Sequence, residues 1–80
     1  MTKIATFHTH LGAMTFRDNL LALGDATAIM MPVPRALSAS CGVCVRFEGP
    51  FDPDTMFDED LEKVVQADGQ GYQVLFETDN

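Results

Sequence analysis

The sequence has no tryptophan, a single tyrosine, two cysteines and only five basic side chains among its 80 residues. Twelve acidic side chains leave a net charge of −7, so the chain lacks the basic surface that neutralises nucleic-acid phosphates. No apolar run is long enough to span a bilayer, and residues 1–8 hold none of signal-peptide length. We therefore expect a cytoplasmic protein that binds neither nucleic acid nor membrane, with both cysteines as reduced thiols.

Internal repeats and low-complexity tracts are also lacking, which excludes solenoid and repeat architectures. A chain of this length forms one domain, residues 1–80, with room for one sheet and one layer of helices. Its charge is uneven. Residues 1–47 carry four basic and two acidic side chains, whereas residues 48–80 carry one basic and ten acidic. The acidic half is interpreted as a solvated surface that favours solubility.

Hydrophobic periodicity and turn residues predict six elements along the chain. They are strands over 3–8, 27–33, 43–47 and 72–77, and helices over 11–23 and from Asp58 to about 68. Thr9 is the expected N-cap of the first helix, and Gly24 suits its C-terminal stop.

The second helix is predicted from Leu61, Val64 and Val65, which repeat at helical spacing after an acidic first turn. Gly69 and Gly71 would end it. The resulting order, βαββαβ, predicts an α+β fold. The expected architecture is a ferredoxin-like sandwich, a four-stranded antiparallel sheet with two helices on one face.

The greatest concentration of reactive chemistry lies in one loop between the second and third predicted strands. Pro32 and Pro34 stiffen its approach and end strand pairing. Gly42 can adopt a positive φ or approach a ligand closely. The remaining candidate side chains of this loop are Arg35, Ser38, Ser40 and Cys41.

The predicted strand order places this loop in space. The third strand should lie between the first two and run antiparallel to both, so the loop should emerge where the first strand ends. Cys41 is therefore expected near His8, Thr9 and His10, at the N-terminus of the first helix. Free amides and the positive dipole end there favour a thiolate or a bound anion.

Several interpretations of the cysteines remain open from the residues alone. Cys41 is either a reactive thiol or a small buried residue, which is common for free cysteine. Cys41 and Cys44 form a C-x-x-C that would suit a redox pair, but residues three apart on a strand face opposite sides. With His8 and His10 they suggest a zinc site, or a histidine base beside a cysteine nucleophile. We favour a thiol without metal or other cofactor.

The motif Pro32-Val33-Pro34-Arg35, followed by Ser38-Ala39-Ser40-Cys41-Gly42 and Arg46-Phe47, resembles the central signature of the putative selenium/sulfur carrier protein-like family. The resemblance implies a role in sulfur or selenium handling, with Cys41 at the position of the family cysteine, the carrier thiol. Because a nearby positive charge favours a thiolate, Arg35, Arg46 and the N-terminus of the first helix are expected to stabilise the anion on Cys41. Such a protein carries a persulfide or selenosulfide between a donor protein and an acceptor protein, and is a carrier rather than a stand-alone enzyme. Cys44 and the long connection over 48–57 depart from the family pattern.

A second function class fits the same residues. In it the chain is a non-catalytic interaction module, in which Cys41 is structural and an uncovered sheet face pairs with a partner or with a second copy as a homodimer. Native thiol reactivity discriminates the two hypotheses, because a structural cysteine reacts slowly.

Overall fold

The computed structural model describes residues 1–37 and 40–78 and has an α+β fold, the class predicted from the sequence. Within those ranges the elements in chain order are β1 (Lys3–Phe7), α1 (His10–Ala22), β2 (Ile29–Pro32), β3 (Val43–Phe47), α2 (Pro53–Met56), β4 (Leu61–Asp68) and β5 (Gly71–Glu77).

One antiparallel sheet contains all the strands of the described ranges, in the order β2-β3-β1-β4-β5. The third strand lies between the first two, as the strand order predicts. The strand number differs from the prediction, because the sheet has five strands rather than four. The ends of β2 and β3 that carry the cysteine loop, residues 33–42, therefore lie beside the C-terminal end of β1.

The predicted second helix is wrong, since residues Leu61–Asp68 form the strand β4. Gly69 and Gly71 do not end a helix. They belong to the tight connection from β4 to β5, where Asp68 pairs with Gly71 and Gln70 donates its backbone N–H to the Asp68 side chain at 2.7 Å. The ferredoxin-like helix between the third and fourth strands is thus replaced by the single turn of α2.

A β-bulge explains why the pattern of β4 resembled a helix. Thr6 pairs with Lys63 but Phe7 pairs with Leu61, so Glu62 is the extra residue. The extra residue places Leu61 and Val64, three positions apart, on the same side of the sheet. β4 is also buried on both sides, which removes the alternation that identifies a half-buried strand.

Helix α1 matches its prediction closely. The Thr9 side chain accepts a hydrogen bond from the Gly12 backbone N–H at 3.0 Å, which makes Thr9 the N-cap. Gly24 follows the helix with a φ of 98°, a left-handed conformation that glycine adopts without steric cost. No helix in the described part of the chain is long and apolar enough to cross a membrane.

The sheet has two apolar sides, which differ in what covers them. On the helix face, Phe16 of α1 packs against Phe7 and Phe47 with ring centroids 5.1 and 5.8 Å away. On the second face, Ile4, Thr6, Cys44 and Val65 are buried, and Met31, Val33 and Leu37 pack against the apolar members of this group. The cysteine loop therefore contributes to the cover of the second face.

The connection over residues 48–58 takes the place expected for the second helix. Its Phe51 and Phe57 rings meet Phe76 of β5 edge to face, at centroid distances of 5.9 and 6.2 Å. Met56 of α2 packs against the same core as α1. This segment thus buries apolar surface on the helix face without a long helix.

Candidate functional site

The cysteine loop is a closed connection between two paired strands. Pro32 pairs with Val43, and the Val33 backbone N–H donates to the Gly42 carbonyl at 3.1 Å. Gly42 has a φ of 77°, so the predicted need for glycine after the cysteine is confirmed. Ser38 lies outside the described residues.

Cys41 is half-buried at the end of this loop. Its side chain packs against the core of the helix face, and its Sγ–H donates to the Val43 carbonyl at 3.4 Å. The residue is therefore partly accessible, and its thiol is held by a hydrogen bond that only the protonated form can donate.

Cys44 has a different environment from Cys41. It is fully buried on the second face, with its Sγ 3.8 Å from the Pro32 carbonyl. Burial, and secondarily the neighbouring Cys41, raises the pKa of Cys44 from 9.0 to about 11. Cys44 is therefore a packed strand residue, and its thiol stays protonated at neutral pH.

The residue before Cys41 is tied to β4 and, through it, to β1. Ser40 donates its backbone N–H and its hydroxyl to the two carboxylate oxygens of Glu62, each at 3.1 Å. The other neighbour of that carboxylate is His8, whose Nδ1 lies 3.4 Å from Oε2. The loop thus reaches the end of β1 as the strand order predicts, with a glutamate joining its cysteine end to His8.

The N-terminus of α1 is occupied by a carboxylate. Thr9 donates its hydroxyl to Asp60 Oδ2 at 2.9 Å, and a Cβ added at Gly12 would overlap the Asp60 side chain. Because Gly12 has no side chain, the Asp60 carboxylate can lie close to the N-terminal end of α1, where a negative charge is favoured. A contact between Cys41 and these amides does not occur among the described contacts. His10 is the exposed first residue of the helix.

Arg35 and Arg46 are the cations expected to stabilise a Cys41 thiolate. Arg35 is exposed, and its guanidinium forms no ion pair within the described ranges. Arg46 is also exposed and lies 3.8 Å from the carboxylate of Glu48. Of the charged groups at the loop, the described contacts place only the Glu62 carboxylate directly against it.

Glu62 and Asp60 are site residues that the sequence reasoning missed. The predicted helix from Asp58 places Asp60 in its first turn, where an acid requires no partner beyond the helix dipole, and it gives Glu62 no role. The β-branched pair Val64-Val65 and the glycines that follow would have indicated a strand and a turn. A strand over 61–68 would have placed Glu62 beside the end of β1.

No group of three or more histidine, cysteine or carboxylate side chains in residues 1–37 and 40–78 is arranged to hold a metal ion. The two cysteines that would contribute to one lie on different sides of the sheet, Cys41 on the helix face and Cys44 on the second face. The same separation argues against a working C-x-x-C dithiol.

Comparison with known proteins identifies the family of this chain. No curated protein and no solved structure matches the chain. A family profile described as "Putative Se/S carrier protein-like" matches residues 2–67, which include β1, α1, the cysteine loop and most of β4. The chain therefore belongs to the Se/S carrier protein-like family.

Proposed function

We propose that this protein carries sulfur or selenium as a persulfide or selenosulfide on Cys41, taking it from a donor protein and passing it to an acceptor protein. The observation that carries the proposal is the contrast between the two thiols. Cys41 is half-buried in a loop, whereas Cys44 is inaccessible and its pKa is raised to about 11. Membership of the family supports the choice of chalcogen chemistry.

The proposed loading step is a sulfur transfer without net oxidation. The Cys41 thiolate attacks the outer sulfur of a donor persulfide, an S–S bond forms on Cys41, and the donor S–S bond breaks. The donor leaves as a thiolate, so electrons and atoms balance. An acceptor thiolate then removes the sulfur in the same way. Selenium would follow the same route through an S–Se bond.

Ionisation of Cys41 breaks the hydrogen bond between its thiol and Val43. The thiol donates to the Val43 carbonyl, but a thiolate has no proton to donate and is repelled by the carbonyl oxygen. Deprotonation therefore frees the sulfur from its backbone partner when it becomes a nucleophile. Gly42, the next residue, has no side chain, and its positive φ is a conformation that glycine adopts without steric cost.

The remaining candidate residues have supporting roles in this proposal. Arg35 is exposed and available to pair with an anionic persulfide or with a partner protein. Ser40 orients the cysteine through its contacts with Glu62. Ser38, His8 and His10 stay candidates for hydrogen bonding to the carried anion or to the partner.

Loading by a cysteine desulfurase tests the proposal directly. After incubation with desulfurase and cysteine, we expect intact-mass analysis to show one added sulfur on the wild type and on Cys44→Ala, and none on Cys41→Ser. Selenocysteine in place of cysteine tests for a selenium adduct. Equal loading of wild type and Cys41→Ser, or loading through Cys44 alone, would remove Cys41 as the carrier.

The interaction-module hypothesis is favoured by one observation, the packing of Cys41 against the core of the helix face. If the cysteine is structural, Cys41→Ser should lower the melting temperature markedly, and no donor should load the wild type. A carrier cysteine gives the opposite pattern, with loading abolished and stability little changed. Sedimentation analysis of the wild type addresses the homodimer that this hypothesis includes.

A further inference from the structure

The carboxylate of Glu62 is the only charged group that the described contacts place directly on the cysteine loop. Both of its oxygens accept hydrogen bonds from Ser40, at 3.1 Å from the backbone N–H and 3.1 Å from the hydroxyl. Oε2 also lies 3.4 Å from Nδ1 of His8. Three contacts on one carboxylate therefore join the residue before Cys41 to the end of β1.

Glu62 is itself held firmly in the sheet. It is the bulge residue of β4, and its carbonyl accepts from the backbone N–H and the hydroxyl of Thr78, at 3.0 and 3.3 Å. Its side chain is only 22% exposed. Bulges commonly re-aim one side chain, and here the bulge directs a carboxylate to the loop beyond the end of the neighbouring strand.

We propose that Glu62 is a positioning residue for Cys41. It fixes Ser40, and with it the direction in which the next residue presents its sulfur to a persulfide donor. This inference rests on the proposed carrier function and adds to it a residue outside the cysteine loop. Glu62 acts through hydrogen bonds to Ser40 and repels the carried anion, so it does not bind the chalcogen itself.

If Glu62 positions Cys41, its removal should change the rate of loading by a donor protein and the rate of alkylation by a small reagent in opposite directions. If Glu62 only stabilises the fold, its removal should not separate the two rates in this way. A persulfide donor must align its outer sulfur with Cys41, so loss of the Ser40 contacts should slow loading. A small alkylating agent needs only to reach the Cys41 sulfur, and the sulfur becomes more accessible when the loop is no longer held by Glu62. Removal of Glu62 should therefore lower the loading rate and raise the native alkylation rate of Cys41 at the same time.

The test compares Glu62→Ala, Glu62→Gln and a surface control, Glu59→Ala. We expect Glu62→Ala to load from desulfurase about tenfold more slowly than the wild type, the effect of losing charge-assisted hydrogen bonds. Its Cys41 should alkylate several-fold faster in the native state, while Cys44 stays protected. Glu62→Gln should recover most of the loading rate, because an amide can both accept from and donate to Ser40. Glu59 is exposed, and its variant should behave as the wild type.

Each other outcome overturns the positioning role. Wild-type loading rates in Glu62→Ala would show that donor alignment does not depend on the carboxylate. Rapid labelling of Cys44 in Glu62→Ala would show a general loss of fold instead. If the wild type accepts no sulfur at all, the carrier function fails separately. An unchanged alkylation rate of Cys41 in Glu62→Ala would then also overturn the positioning inference.

Discussion

The two cysteines provide the sharpest prediction, because they lie three residues apart and differ in nearly every property that controls thiol reactivity. Brief alkylation of the native protein at neutral pH should label Cys41 and leave Cys44 unmodified. Cys44 has no exposed surface, and its pKa is raised from 9.0 to about 11. Cys41 is half-buried at the end of a loop.

The raised pKa of Cys44 sets the magnitude of this difference. The increase of the Cys44 pKa from 9.0 to about 11 lowers its thiolate fraction at neutral pH about 100-fold, and the thiolate is the reactive form. Complete burial adds to that factor, because the reagent must wait for the strand to open. We therefore expect Cys44 in the native protein to label at least about 100-fold more slowly than it does in denaturant, and more slowly than Cys41.

Peptide mapping by mass spectrometry, at several times after addition of iodoacetamide, measures both rates in one sample. The same measurement in denaturant is the control, since both cysteines should then react at similar rates. Cys44→Ala should leave the labelling rate of Cys41 unchanged. Equal native rates, or faster labelling of Cys44, would refute both the assignment of Cys41 as the carrier thiol and the account of Cys44 as a protected core residue.

Three further predictions concern stability and are checked by chemical denaturation. The Thr6 hydroxyl is buried without a hydrogen-bond partner among the described residues, so Thr6→Val should stabilise the fold by about 1–3 kcal/mol. A loss of stability would instead reveal a partner for that hydroxyl. Gly49 donates its N–H to Asp25 at 3.0 Å, and a Cβ there would overlap that carboxylate. Gly49→Ala should thus cost about 1–3 kcal/mol in the wild type and much less beside Asp25→Ala. Equal costs in both backgrounds would contradict the overlap. The native protein keeps the Cys44 proton above the pH at which the unfolded chain loses it. This group's contribution to stability is therefore complete below pH 9 and is lost as the pH rises towards 11. Wild-type stability should fall by about 2–3 kcal/mol more over that range than the stability of Cys44→Ala, and parallel pH profiles would show that Cys44 titrates normally.

Local signals carried the prediction of the first half of the chain. Thr9 and Gly24 are local signals for the start and the end of a helix. Helix α1 accordingly begins and ends within one residue of the predicted bounds. The alternation of Val43, Val45 and Phe47 identified β3 correctly, because these three residues share the helix face while Arg46, between two of them, is exposed. In these elements propensity, pattern and burial agree.

The prediction of a helix in the second half of the chain was wrong because its hydrophobic pattern arises from tertiary packing of a strand. Leu61, Val64 and Val65 have helical spacing, but the bulge at Glu62 and burial on both sides of the sheet produce the same spacing in a strand. Periodicity alone does not separate a short buried strand from a helix. The placement of Glu62 against Ser40 and His8 depends on that strand, so it could not be found while the helix was assumed.

The sequence by itself determined the fold class, the first helix, the central strand order and the family to which the loop around Cys41 points. Those features follow from capping residues, hydrophobic periodicity and a short motif, which are signals that can be read within a few positions of sequence. Only the tertiary structure decided that Cys44 is a protonated core thiol and that the carboxylates of Asp60 and Glu62 lie beside the end of β1. Burial and charge depend on what other segments bring to a residue, and Glu62 reaches Ser40 across 22 positions of sequence.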